Sequence, residues 1–213
     1  MQGDEFSVSS NIDLNHIVIE AGYESPVLLF ASYVDSAQVS LDRAFRARDT
    51  GSNAGAQQFI LRYLVDCLFA IEIGLKTIVA YSKRDFGVVK NYGHDLVKLY
   101  RACPRESKRS IERDYQEKYP GQGRVFEDTM STANGLYTMF RYFAFEGGRA
   151  EFDHGQIHEA VIVIAEELKR LAIPGSNRLH LLKIDEKYSE RLMDAGALEY
   201  DHGYKEGRRS SDA

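Results

Sequence analysis

The sequence predicts an all-α fold, with four apolar-striped helices and shorter connecting ones. Three observations predict it. In the strongest segments apolar residues recur every three or four positions, the repeat of one helix face. Three of the four prolines, Pro104, Pro120 and Pro174, fall between such segments, where breakers belong. The gaps between the long segments are short, which favours antiparallel packing of neighbours.

Residues 11–22, "NIDLNHIVIEAG", contain β-branched side chains and end in Gly, so a short strand or an extended arm is expected there. A first helix is expected over 27–48. "DTGSNAGA" (49–56) has loop chemistry. The second helix, 57–81, carries the clearest stripe: Ile60, Leu64, Cys67, Leu68, Ile71, Leu75, Ile78 and Val79. Residues 82–93 read as a loop. A short helix over 94–103 follows, with Leu96, Leu99 and Tyr100 on its apolar side. Pro104 opens a polar helix whose stripe (Ile111, Tyr115, Tyr119) is thin and which "PGQG" (120–123) ends. A long helix over 124–146 has Phe126, Met130, Ala133, Tyr137 and Phe140 in register, then two glycines suited to a C-cap. The last strong helix, 154–172, turns Ile157, Val161, Ile164, Leu168 and Leu171 inward, and Pro174 and Gly175 stop it. One further helix is expected in the tail, within "DEKYSERLMDAGA", before a polar, disordered end. The expected division is an N-terminal extension (1–26), a helical bundle (27–173) and a C-terminal extension (174–213).

A length of 213 residues allows one domain with extensions. The 44% hydrophobic content supports a real core, and 28% charged residues are typical of a soluble chain. The apolar runs fall well short of the ~20 residues that a membrane helix needs. The first ten residues are polar and acidic, unlike a signal peptide. Two distant cysteines, Cys67 and Cys103, argue against a disulfide framework or a cysteine zinc site, and a reducing cytoplasm is expected. The net charge of −5 is uneven: residues 76–124 hold twelve Lys/Arg against six Asp/Glu, so that span carries +6 and the rest −11. A basic middle can mark a polyanion-binding face, or simply a solvated, salt-bridged one.

Two segments then combine. The second helix contains "IEIGLK" (71–76), with Glu72 and Lys76 one turn apart. After the loop, "YGHDLVKLY" (92–100) brings His94, Asp95 and Leu96 to a new helix start. This pair resembles the HEPN superfamily of helical bundles, and Arg141–Tyr142 resembles the "RY" of some divergent members. The resemblance covers roughly residues 30–172. It implies a HEPN-like four-helix up-down bundle with additional short helices and N- and C-terminal extensions. It also implies a homodimer and, in many members, metal-independent RNA cleavage of the toxin or antiviral-defence type. RNA and a partner protein, an antitoxin or defence component, are the implied partners; no cofactor and no membrane are expected. The family's catalytic signature is Arg, a gap of four to six residues, then His at the start of the last core helix. "RAEFDH" supplies Arg149 and His154 at that position. Ala150 departs from the polar residue that often follows the arginine, which puts activity in question.

The chemistry suits those residues. Cleavage through the 2′-hydroxyl needs proton transfer, which histidine performs near neutral pH. Arginine grips phosphate oxygens as a fork, and a helix N-terminus adds free N–H groups. The plain alternative is a capping Asp153 or His154 beside a surface Arg149. His154 and His158 share a helix face at zinc-pair spacing, but the residues between them are not those of a metalloprotease, and no metal is expected. Glu72 and Lys76 read as a polar network in the bundle, with His94 or Arg141 as partner. Lys76, His94, Arg141 and His158 are therefore the candidate binding residues. Asp95 is a candidate N-cap. The alternative function is a catalytically silent HEPN-like module that binds a partner protein, RNA or a nucleotide.

Overall fold

A computed structural model describes residues 24–118, 126–146 and 154–181. Among these residues the secondary structure is helical throughout: α1 (Glu24–Asp49), α2 (Asn53–Lys83), α3 (Leu96–Ala102), α4 (Arg105–Lys118), α5 (Phe126–Glu146) and α6 (His154–Arg170), with short 3₁₀ helices at Gly87–Tyr92 and Ser176–Leu181. The expected arm over 11–22 and the tail helix lie outside the described residues.

α1 begins before Val27, and Pro26 sits in its first turn, where a missing N–H costs nothing. Its core face is Val27, Phe30, Val34, Ala37, Leu41 and Phe45. The expected loop 49–56 is shorter than its composition suggested, because α2 already starts at Asn53. The turn closes as a Schellman motif: Ser52 N–H donates to the Ala47 carbonyl and Gly51 N–H to the Arg48 carbonyl, both at 2.8 Å, with Gly51 at φ +78°. So tight a turn folds α2 back antiparallel along α1.

α2 is the central helix. In its second half residues 70, 71, 72, 74, 75 and 77–80 are all buried, so it is covered on nearly every side. Gly74 marks the closest approach: a Cβ there would lie 2.3 Å from Ile164 of α6 and 3.1 Å from Phe30 of α1. Tyr63 meets His158, and further along Gly74 meets Ile164, so α6 runs parallel to α2. α3 runs antiparallel to α5, with the Leu96 N–H bonded to Asn134 and Arg101 paired with Glu127.

The apolar stripes meet in one core, with Leu64, Leu68, Ile71, Leu75, Ile78, Ile111, Tyr115, Phe126, Met130, Ile157, Ile164 and Leu168 buried. Ile60, Phe140 and Leu171 pack only at its edge. Part of the expected loop 82–93 is the 3₁₀ helix Gly87–Tyr92. No described helix is long and apolar enough to cross a membrane.

Candidate functional site

Two polar clusters hold the described candidate residues, and they lie on different faces of α2. Tyr63 and Glu72 are nine residues apart, which on an α-helix is two and a half turns, about 14 Å of rise and opposite faces.

The first cluster surrounds Glu72. Its side chain is 4% exposed, Lys76 donates to its Oε1 at 2.6 Å, and His94 Nδ1 lies 2.9 and 3.0 Å from its two oxygens. The expected network is therefore present, with His94 as the partner. The Arg141 side chain lies outside the described residues. Burial alone would raise the Glu72 carboxyl, but hydrogen bonds from Lys76, His94 and Tyr137 outweigh it and hold the group below the usual carboxylate range. The His94 ring stacks on Tyr137 with centroids 5.7 Å apart, Tyr137 meets Phe69 edge-on, and Phe69 stacks on Tyr33. An aromatic ladder thus runs from α1 to the start of α3. Asp95 caps α3 by accepting from the Lys98 N–H at 3.0 Å, and His94 just before it is held by Glu72. One dipeptide both starts the helix and ties it to α2. His94 remains 48% exposed, so one edge of this cluster meets solvent.

The second cluster is at the start of α6. His154 is the first residue of α6 and is half-buried. His158, one turn later, is 5% exposed, and its Nδ1 shares a 2.7 Å hydrogen bond with the Tyr63 hydroxyl. Burial pushes the His158 imidazolium down to about 4, and the neighbouring His154 charge adds to the effect. His158 is thus a neutral core histidine at pH 7. It was expected among the binding residues, but burial keeps it from surface ligands. The other member of the expected catalytic pair, Arg149, lies outside the described residues. Among the described residues no three His, Cys, Asp or Glu side chains converge as a metal ion would require.

Sequence reasoning did not assign the partners Tyr63 and Tyr137. A tyrosine on a buried stripe needs somewhere to put its hydroxyl, and that was the available signal. It also did not find Asp66, buried on α2, which accepts from Ser36 of α1 at 2.7 Å and from Arg62 at 3.0 Å. Both cysteines are buried, and burial pushes both thiols up to about 12, which removes them as nucleophiles.

Several charges of the basic span are engaged within the protein. Lys76 holds Glu72, Lys98 pairs with Asp95, Arg101 with Glu127 and Arg113 with Asp114, while Lys108 donates to the Arg101 carbonyl. No family model, curated protein or solved structure matches the chain.

Proposed function

We propose that this chain is a HEPN-like helical protein that cleaves RNA without a metal ion. His154 is the proton-transfer group and Arg149, five residues upstream, grips the scissile phosphate. One observation carries the reading: an imidazole opens α6 at the positive end of a 17-residue helix, beside a histidine that burial keeps uncharged. A phosphate drawn to the N–H groups there meets an imidazole, the side chain most often used for proton transfer. An anchored, neutral His158 adds no positive charge one turn from His154. Dimerisation would bring two such pairs to one groove, and a toxin or defence role in the cytoplasm follows from the family resemblance.

The test is incubation of the purified chain with mixed-sequence RNA in EDTA, wild type beside His154→Ala. Cleavage by the wild type alone, leaving 2′,3′-cyclic phosphate ends, supports the assignment. Cleavage that survives the substitution, or none by the wild type, refutes it.

The second reading is a silent HEPN-like module that binds RNA, a nucleotide or a partner protein. The internal ion pairs of the basic span favour it, because among the described residues Lys76, Lys98, Arg101 and Arg113 are already paired with carboxylates.

A further inference from the structure

At the opposite end of α6 from His154, three helix ends converge on a half-open cleft of about 730 Å³. α2 contributes Tyr81 and its C-cap Arg84, α6 contributes Arg170 with Leu171 just after it, and α4 contributes its first turn with Pro104 just before it. Such a volume is ordinary for a small-molecule site.

The cleft wall contains a polar group without a partner. Ser107 is 2% exposed, it lines the cleft, and among the described residues its hydroxyl has no hydrogen-bond partner. A buried hydroxyl left unpaired is costly and uncommon. It lies in the first turn of α4, whose first intrahelical bond is Lys108 N–H to the Pro104 carbonyl. The N–H groups of Arg105, Glu106 and Ser107 therefore have no acceptor within the helix. Pro104 has no side chain that can cap them.

The charges around the cleft are balanced. Arg170 and the buried Glu167 pair with each other, and Arg170 also holds Asp114, so this set is occupied. Arg84 and Glu106 remain, one of each sign, on the lining. The amide end of α4 is positive, and the carbonyl ends of α2 and α6 are negative. A simple anion would face Glu106 and two helix C-termini. A simple cation would face Arg84 and a helix N-terminus. A ligand carrying both charges a few bonds apart satisfies both sets. Tyr81, Pro104 and Leu171 supply an apolar wall for the rest of it.

We propose that this cleft binds a small zwitterion of the α-amino acid class. Its carboxylate sits on the free N–H groups of α4 and the Ser107 hydroxyl beside Arg84. Its ammonium sits toward Glu106, and its side chain lies on Tyr81 and Leu171. The site is separate from His154 and does not depend on RNA cleavage.

The experiment is thermal unfolding of the full chain with the standard amino acids, one at a time at millimolar concentration. Inorganic phosphate and putrescine are the single-charge controls. The expected result is a saturable rise in the midpoint with at least one amino acid, about 4 °C at roughly ten times its Kd. Neither control should shift it. A shift with phosphate or putrescine equal to the best amino acid, or no shift with any amino acid, overturns the proposal. Ser107→Ala should weaken the bound amino acid about tenfold without lowering the midpoint of the unliganded protein, because it removes an unpaired buried hydroxyl. If Ser107 only supports the fold, the midpoint falls and the affinity stays. Arg84→Gly is the second variant. Arg84 ends α2 at φ +54°, a conformation glycine accepts freely, so this change keeps the fold while removing the guanidinium. Unchanged affinity in both variants also overturns the proposal.

Discussion

Gly74→Ala should be among the most disruptive single-methyl additions in this protein. The added Cβ would sit 2.3 Å from Cγ2 of Ile164 and 3.1 and 3.2 Å from two ring atoms of Phe30. Carbon atoms in contact prefer about 3.5–4.0 Å, so α6 must move off α2 by more than about 1 Å. Ile164 cannot swing aside, because a β-branched residue in a helix is confined to essentially one χ1 rotamer. Phe30 is fully buried and has no room either. Overpacking of this kind costs about 1–3 kcal/mol, and the contact is severe enough to exceed that range. Alanine returns about 1 kcal/mol of helix propensity. The net expected loss is about 2 kcal/mol, or roughly 1 M in the urea midpoint. The check is urea unfolding of wild type, Gly74→Ala, Ile164→Ala and the double variant. Removing Cγ2 should make room for the new methyl, so the double variant should be more stable than the two single losses summed, by about 1 kcal/mol or more. A midpoint that stays or rises in Gly74→Ala would show that α2 and α6 do not touch at Gly74.

Three other expectations concern the polar sites and helix ends. The His158 imidazolium falls from 6.5 to about 4 on folding, so below pH 6.5 the unfolded chain takes up a proton that the native state refuses. Wild type should therefore lose about 3 kcal/mol more than His158→Gln between pH 7 and pH 4, by urea unfolding at each pH; equal losses would refute the neutral core histidine. Asp95→Ala removes the side-chain cap of α3 and should cost about 1 kcal/mol in the same assay, whereas no loss would mean the cap is not formed. Ala172 ends α6 at φ +48°, with Ala172 and Ile173 N–H groups bonded back to Lys169 and Leu168. Ala172→Gly should thus raise the thermal midpoint, by about 0.5–1 kcal/mol of stability, and a fall would contradict the left-handed cap.

Helical periodicity made most of the fold legible. Leu64, Cys67, Leu68, Ile71, Leu75 and Ile78 are buried because a 3.6-residue repeat puts them on the faces that α1 and α6 cover. Helix boundaries were less legible. "DTGSNAGA" looks like loop throughout, yet Asn53 onward is helical, because tertiary packing against α1 overrides weak propensity. The Glu72–Lys76–His94 cluster could be anticipated, since a carboxylate near an apolar stripe must find partners. The burial of His158 could not, because a histidine on an apolar face looks the same in sequence whether it reaches a ligand or a tyrosine hydroxyl. Nor could the separation of the two clusters be seen without knowing which face of α2 each neighbour covers. The cleft of Arg84 and Ser107 draws on residues from three helices far apart in sequence, and no local pattern marks it.

The proposed function divides the labour of two histidines: His154 would perform chemistry, while His94 holds α3 to α2 through Glu72. The measurement that tests it most directly is the rate of RNA cleavage in EDTA by His154→Gln and His94→Gln, each at a temperature where it is folded. His154→Gln should abolish cleavage while unfolding in urea like wild type. His94→Gln should cleave at close to the wild-type rate while losing stability. Cleavage retained by His154→Gln, or lost in a folded His94→Gln, would contradict it.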